Sequence, residues 1–487
     1  MQNLFFDGSS VLLTDLYQLT MAYGYWKSGR HNEWANFQMY FRKLPFNGGF
    51  AVACGIEPAI EWIERFAFDT SDLAYLETLV GADEKPLFES AFLDYLGDLS
   101  LQVDIDAVRE GAVCFAQEPL IRVQGPVLHC QLLETALLNI VNFQTLIATK
   151  AARICLAARG EPVLEFGARR AQGVDGALSA SRAAFVGGCA ATSHVLAGKC
   201  FNIPVRGTHA HSWVMLFGSE PEAFDTYADA LPNNVVFLVD TYDTLEGVHN
   251  AVAAGLKLRQ RGYDLLGIRL DSGDLAYLSI EARKILDAGG FPDATIFASN
   301  DLDENLIASL KEQGAKIGVW GVGTRLVTGN DQPALGGVYK LTAVRDETGI
   351  WEPRVKLSEQ SVKISTPGVL GTRRFINSSG QFVADAIYEE GFEPDGAFRI
   401  VDPLDPIRRR HIEAGLETHE LLEPAFRGGK RVRDSETLHA ARERAESELA
   451  SLNGSIKRFV NPHSYPVGLE EGLHARKFAL IERLREK

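Results

Sequence analysis

Hydrophobic spacing divides the chain into three stretches of different period. Near the start, Thr14 and Asp15 precede a helix-spaced run through Tyr17, Leu19, Met21 and Tyr25 that ends towards Gly29, with start and stop signals for a helix. Residues 35–41 alternate as a strand does, and Pro45–Gly49 breaks them with a glycine-bearing loop. "GAVCFAQEPLIRVQGPVLHCQ" reads as further strand. "LLETALLNIVNFQTLIATKAARI" predicts a long helix, apolar on most sides and therefore buried. This first third is α+β in pattern.

From about residue 160 short apolar β runs alternate with helical stretches, as parallel β/α units do. The runs are "PVLEF" (162–166), "NIPV" (202–205), "VVFLV" (235–239), "LLGIRL" (265–270), "ATIFA" (294–298), "KIGVWG" (316–321) and "GGVYKL" (336–341). After them come "GARRAQG", "RGTHAHS", "DTYDT", "DSGD", "SNDLDE", "VGTR" and "TAV", so glycine, hydroxyl, amide and charged residues gather at successive strand ends. A (β/α) barrel carries its active site on that rim, which favours a barrel over an open doubly wound sheet. Beyond it, "GTRRFINSSGQFVADAIY" predicts a hairpin and "SETLHAARERAESELASL" a surface helix rich in charge pairs. The expected organisation is an irregular α/β barrel over residues 136–350, flanked by an α+β domain that residues 1–135 begin and residues 351–487 complete.

Composition narrows the class. With 487 residues, 46% hydrophobic and 23% charged, this is the make-up of an ordinary globular protein. No uninterrupted apolar stretch is long enough to cross a bilayer, and the N-terminus lacks the features of a secretory signal, so a cytoplasmic location without membrane attachment is expected. Cys54, Cys114, Cys130, Cys155, Cys189 and Cys200 stand singly, which points to thiols rather than disulfides or zinc sites. A net charge of −15 disfavours nucleic acid as a partner and means that an anionic substrate must meet a local basic pocket.

Candidate chemistry lies at the strand ends. In an extended stretch His209 and His211 face the same way, so both rings could enter one site. Three readings stand: a metal-binding His-x-His, a structural histidine, and a nucleophilic or proton-carrying one. No other histidine ends a later predicted strand, which weakens the first, since zinc needs at least three protein ligands. Arg169, Arg170, Arg269 and Arg325, with Lys340, Lys356 and Lys363, would line the mouth and suit a phosphorylated substrate. "WGVGTRLV" offers backbone N–H groups and the Thr324 hydroxyl to a terminal phosphate. In "RLDSGD", Asp271 suits a ribose diol or Mg²⁺-bound diphosphate, or else Asp271 or Ser272 caps a helix. Asp240 and Asp243 superficially resemble the diphosphate-sugar loop of open-sheet phosphoribosyltransferases, a match that Tyr242 spoils.

Taken together, "LLTDLYQLTMAYGYW", "FRKLPFNGGFAV", "EFGARRAQG", "GTHAHSWV", "VDTYDT", "RLDSGDL", "SNDLDE", "GVGTRLVT", "GGVYKL" and "NPHSYPVGL", in order along nearly the whole chain, resemble the nicotinate phosphoribosyltransferases, type II members of their class. The resemblance implies a cytoplasmic enzyme of NAD synthesis that joins nicotinate to phosphoribosyl diphosphate, with ATP as co-substrate, Mg²⁺, and a phosphohistidine at His211. It also implies a homodimer with shared sites, in which Phe166 and Tyr17 of the partner subunit sandwich the pyridine ring near Arg269. Arg169 and Lys363 would then meet diphosphate, Asp271 ribose or Mg²⁺, and Ser299, Asn300, Gly323 and Thr324 the 5′-phosphate, with Thr208 among the substrate contacts. His194 stands where related sequences often carry Asn and nicotinamide-using relatives an Asp. Competing readings are a nicotinamide- or quinolinate-using relative, a metal-dependent barrel hydrolase, and a noncatalytic binding protein.

Overall fold

The computed structural model describes residues 10–393 and 396–486, so the first nine residues of the predicted N-terminal segment lie outside it. The chain divides into two compact units, one of Ile147–Pro333 and one formed by the residues up to Leu146 with those from Ala334 onward. One border falls in mid-helix, inside Glu134–Ala158, because that helix continues unbroken past residue 136.

In the central unit six parallel strands pair in the order Ala191–Thr192, Val163–Glu165, Val319–Val322, Thr295–Asn300, Gly267–Leu270, Val236–Leu238. That order is cyclic in the sequence. At one edge Val205 makes a single parallel bridge to Thr192, so "NIPV" is a bridge rather than a full strand. Four residues on, His209 Nε2 accepts the Leu238 N–H at 3.2 Å from the opposite edge. The run "GGVYKL" is not part of this sheet. Gly337–Arg345 pairs antiparallel with Trp34–Phe41 in the other unit, and Lys340, Lys356 and Lys363 go with it.

Three of the strands deliver the chain into a helix capped by an aspartate. Asp243 accepts from Glu246 N–H before Thr244–Gln260, Asp274 from Tyr277 N–H before Leu275–Ala288, and Asp303 from Asn305 and Leu306 N–H before Glu304–Glu312. The cap after Gly267–Leu270 is therefore Asp274, not Asp271 or Ser272. In this unit Lys150 and Arg153 are buried and share Glu304 at 2.7 and 2.8 Å, so the desolvated carboxylate is paired with two cations.

The other unit holds a seven-stranded sheet in which Trp34–Phe41 lies between Gly337–Arg345 and Ile121–Pro126. The alternation of residues 35–41 does not produce one wet face, because Ala35–Phe41 are all buried. The amide groups of their polar members are engaged inside the protein: Asn36 donates to Thr342 Oγ1 at 2.7 Å and Gln38 to Gly368 O at 3.2 Å. A second, six-stranded sheet contains the predicted hairpin, Leu370–Ile376 with Phe382–Glu389, its turn held by Asn377 Oδ1 accepting from Ser379 and Gln381 N–H. Leu438–Ser451 is helical and capped by Thr437.

The six cysteines form no disulfide. The expectation that no stretch could span a bilayer concerns uninterrupted apolar runs; one helix interrupted by polar residues is still long enough and apolar on average. Val127–Ala158 is long and apolar enough by length and composition, since helical segments interrupted by single polar residues still average apolar. It is mostly buried within the protein, as a core helix is.

Candidate active site

At the carboxyl ends of the parallel strands lies a cleft of about 420 Å³. Phe166, Arg169, Thr208, His211, Arg269 and Asp271 line it, and Ser299, Asn300, Gly323 and Thr324 complete the wall. The loops share one rule: the acid nearest the helix caps it, and the acid at the strand end remains for the cleft. Asp243 and Asp274 cap, whereas Asp240 and Asp271 face inward.

His211 is the first residue of helix His211–Leu216, with Ala210 extended before it. The change from extended to helical backbone ends the two-residue repeat, so the two histidines diverge. His209 is buried among Tyr227, Phe224 and Phe237 and accepts from Leu238 N–H. Burial pulls its pKa down to about 4. His209 is thus a neutral structural residue, and the pair does not converge on a metal.

This gives a pH prediction. The folded His209 takes a proton only near pH 4, whereas the unfolded side chain takes one near its ordinary 6.5. Its contribution is therefore complete above pH 6.5 and is lost as pH falls towards 4, by about 3 kcal/mol in total. His129, whose Nδ1 accepts from Gln102 N–H, behaves likewise at about 4. Urea denaturation of His209→Gln should show a shallower loss of stability between pH 7 and pH 5 than wild type, by up to one proton; an identical slope contradicts the assignment.

The His211 ring has distinct neighbours on its two sides. Nδ1 lies 3.1 Å from the Thr241 hydroxyl, while Nε2 lies 4.0 Å from Asp240 Oδ1 and 3.7 Å from Asp271 Oδ2. The Asp240 side chain is 1% exposed. Its Oδ2 accepts from Asp271 N–H and from Ser272 Oγ–H, and its buried Oδ1 has no hydrogen-bond partner. Asp271 Oδ1 accepts from Ser299 Oγ–H and from Arg269 at 3.4 Å. Arg269 also donates to Thr208 Oγ1 at 2.6 Å, which directs the guanidinium, and its buried Nε has no acceptor.

The floor of the cleft is shaped by close packing. A Cβ on Gly321 would come within 2.8 Å of the Phe166 ring, so glycine there leaves the half-buried ring its place. Behind Phe166, buried Glu165 accepts from Gly167 N–H, Ser181 and Thr192, and Ser181 Oγ lies 3.3 Å from His194 Nδ1. Asn300 has φ of 137°, a region side chains rarely adopt, at the strand end where its Oδ1 accepts from Asp301 N–H.

Not every expected residue reaches this wall. His194 stands before helix Val195–Phe201, and its neighbour Ser193, not His194, lines the cleft. Tyr17 and Lys363 belong to the other unit and are not among the lining residues. Arg325 pairs with Asp303 at 2.7 Å. Asp240 and Thr241 were not singled out as site residues, although an acid directly after the apolar run "VVFLV" is the signal that marks them. Among the described residues no group of three or more His, Cys, Asp and Glu could by itself hold a metal.

Family models for the N-terminal and C-terminal domains of nicotinate phosphoribosyltransferase match residues 12–142 and 372–477. The chain is 44% identical to the Bacillus subtilis nicotinate phosphoribosyltransferase over 99% of its own length and 97% of the relative's. The chain belongs to the nicotinate phosphoribosyltransferase family. The human nicotinate phosphoribosyltransferase is 35% identical, with 95% of each chain covered. A crystal structure of the human protein superposes with a TM-score of 0.83 at 32% identity, over 96% of this chain and 99% of that one. A nicotinate-nucleotide pyrophosphorylase from Pyrococcus furiosus shares the fold, with a TM-score of 0.69 at 21% identity over 93% of this chain and 99% of that chain. The family models leave residues 143–371 unmatched, so the strand-end cleft of this nicotinate phosphoribosyltransferase family member lies between the two matched regions.

Proposed function

We propose that the protein joins nicotinate to 5-phosphoribosyl 1-diphosphate, releasing nicotinate mononucleotide and diphosphate, and that it couples this to ATP hydrolysis through a phosphorylated His211. The observation that carries the reading is the setting of His211 in an arginine-lined cleft, with two carboxylates on one side of its ring and a hydroxyl on the other. Asp240 and Asp271 favour the tautomer that carries its proton on Nε2. That leaves the Nδ1 lone pair, with only the rotatable Thr241 hydroxyl before it, to attack the γ-phosphorus of ATP while ADP departs. Water later takes the phosphoryl group as inorganic phosphate and the imidazole is restored.

In the transfer step the pyridine nitrogen displaces diphosphate at the anomeric carbon. Phe166 offers a ring face to the base, and the acceptor-less Nε of Arg269 suits its carboxylate. Arg169 and Arg170, both exposed at the rim, are free to meet diphosphate. The Ser299 proton is engaged by Asp271, so Asn300, Thr324 and the backbone at Gly323 are the better donors to the 5′-phosphate. Asp271 and Asp240 supply hard carboxylate oxygens, one of them buried and unpartnered, which fits Mg²⁺ completed by substrate oxygens and water. Bound there, Mg²⁺ would offset negative charge on the leaving diphosphate.

We read the cyclic parallel sheet as an irregular barrel, left open between Val205 and Val236–Leu238 where His209 bridges the edges. Two such chains are expected to share sites, Tyr17 of the partner subunit stacking on the base. The exposure of Leu16, Tyr17 and Met21 on one short helix supports this. The arginines of the cleft suit an anionic base. The test supplies nicotinate, nicotinamide or quinolinate with phosphoribosyl diphosphate, with and without ATP, and identifies the nucleotide. Nicotinate mononucleotide, formed faster with ATP, is expected; preference for another base, or no nucleotide at all, overturns the reading.

A further inference from the structure

A second cleft, of about 710 Å³, is distinct from the strand-end site and is lined wholly by residues between 400 and 467. One wall is the turn and strand around Arg408–Arg410; the other is the segment from Arg458 through the "NPHSYPV" motif, which the strand-end site leaves without a role. Four arginines and His463 line it against one carboxylate, Asp402, in a chain of net charge −15. That carboxylate is turned to the backbone, its Oδ1 accepting from Leu404 and Asp405 N–H. Arg408 and Arg409 have ion-pair partners in Asp405 and Glu471, at 3.3 and 3.6 Å, whereas Arg410 and Arg458 have no such partner among the described residues. Such a concentration of guanidinium groups suits a polyanion, since several planar forks can each bind phosphate oxygens.

Size and lining narrow the ligand. The cleft is far larger than inorganic phosphate requires, and Ile407, 88% exposed, gives it an apolar part together with Pro462. A ligand that uses both parts carries several phosphates at one end and a flat apolar body at the other. We propose that this cleft binds a nucleoside polyphosphate, its phosphates on Arg410 and Arg458 and its base against Ile407 and Pro462. The site shares no residue with the strand-end cleft, so the two occupy separate ligands.

Equilibrium dialysis of the full-length protein with ATP tests this. Wild type should hold more than one nucleotide per chain, and Arg410→Ala/Arg458→Ala should lose one of them, that site weakening roughly 10- to 100-fold. His211→Ala should retain it. Both arginines are exposed, so the double variant should fold normally, which its circular dichroism melt checks, and Arg410→Lys/Arg458→Lys should recover part of the binding. Wild-type ATP stoichiometry and affinity in the double alanine variant would overturn the proposal. So would inorganic triphosphate occupying the site as tightly as ATP, because that would remove the role of the base.

Discussion

Replacing His211 with alanine should abolish the ATP hydrolysis that nicotinate and phosphoribosyl diphosphate stimulate, a fall of at least about 10³-fold, while a slow ATP-independent transfer persists. The two parts separate because His211 is the only imidazole among the cleft-lining residues turned towards the carboxylates, whereas the base, ribose and phosphate contacts rest on other side chains. His209 cannot substitute, since its ring is enclosed by Phe224, Tyr227 and Phe237 and committed to Leu238 N–H. ADP release and nucleotide formation, followed in one reaction mixture, check this. Full coupling in His211→Ala would remove the residue from the mechanism.

Asp240→Asn should cost nearly as much, roughly 10²- to 10⁴-fold in the rate of His211 phosphorylation. Asp240 Oδ2 accepts from Asp271 N–H and Ser272 Oγ–H, and its unpartnered Oδ1 faces His211 Nε2 at 4.0 Å. An asparagine offers only one acceptor. If its oxygen keeps Asp271 and Ser272 in place, its NH₂ group faces the imidazole, opposes a proton on Nε2 and turns the reactive lone pair away from Nδ1. The side chain is almost fully enclosed, so water cannot repair the mismatch. Rapid-quench measurement of protein-bound phosphate reads the effect, and an unchanged melting temperature excludes misfolding. Wild-type phosphorylation in Asp240→Asn would show that the carboxylate only shapes the loop.

Much of the strand-end site was legible because strand ends carry their chemistry in contiguous sequence. "EFGARRAQG", "RLDSGD" and "SNDLDE" each bring residues of the cleft with the strand that aims them. What failed were inferences needing local geometry. Extended periodicity put His209 beside His211, but a helix begins at His211 and reverses the sense. Asp240 and Asp243 look equivalent in "DTYDT", and which of two nearby acids caps the helix is decided by hydrogen bonds, not spacing. "GGVYKL" has the apolar pattern of a buried strand in either kind of sheet, and only its pairing with Trp34–Phe41 reveals which. Tyr17 as a site residue rests on resemblance alone, and Lys363 is expected at the mouth with Lys340 and Lys356, whereas all three belong to the other unit, Lys340 on the strand paired with Trp34–Phe41.

The central claim is that the His211 imidazole carries the phosphoryl group of ATP. It is tested most directly by incubating the protein with γ-labelled ATP, quenching in alkali and mapping the labelled peptide by mass spectrometry. The account predicts a base-stable, acid-labile phosphate on His211, discharged on adding nicotinate with phosphoribosyl diphosphate. Label on another residue, or ATP hydrolysis with no labelled protein at any time, would contradict it.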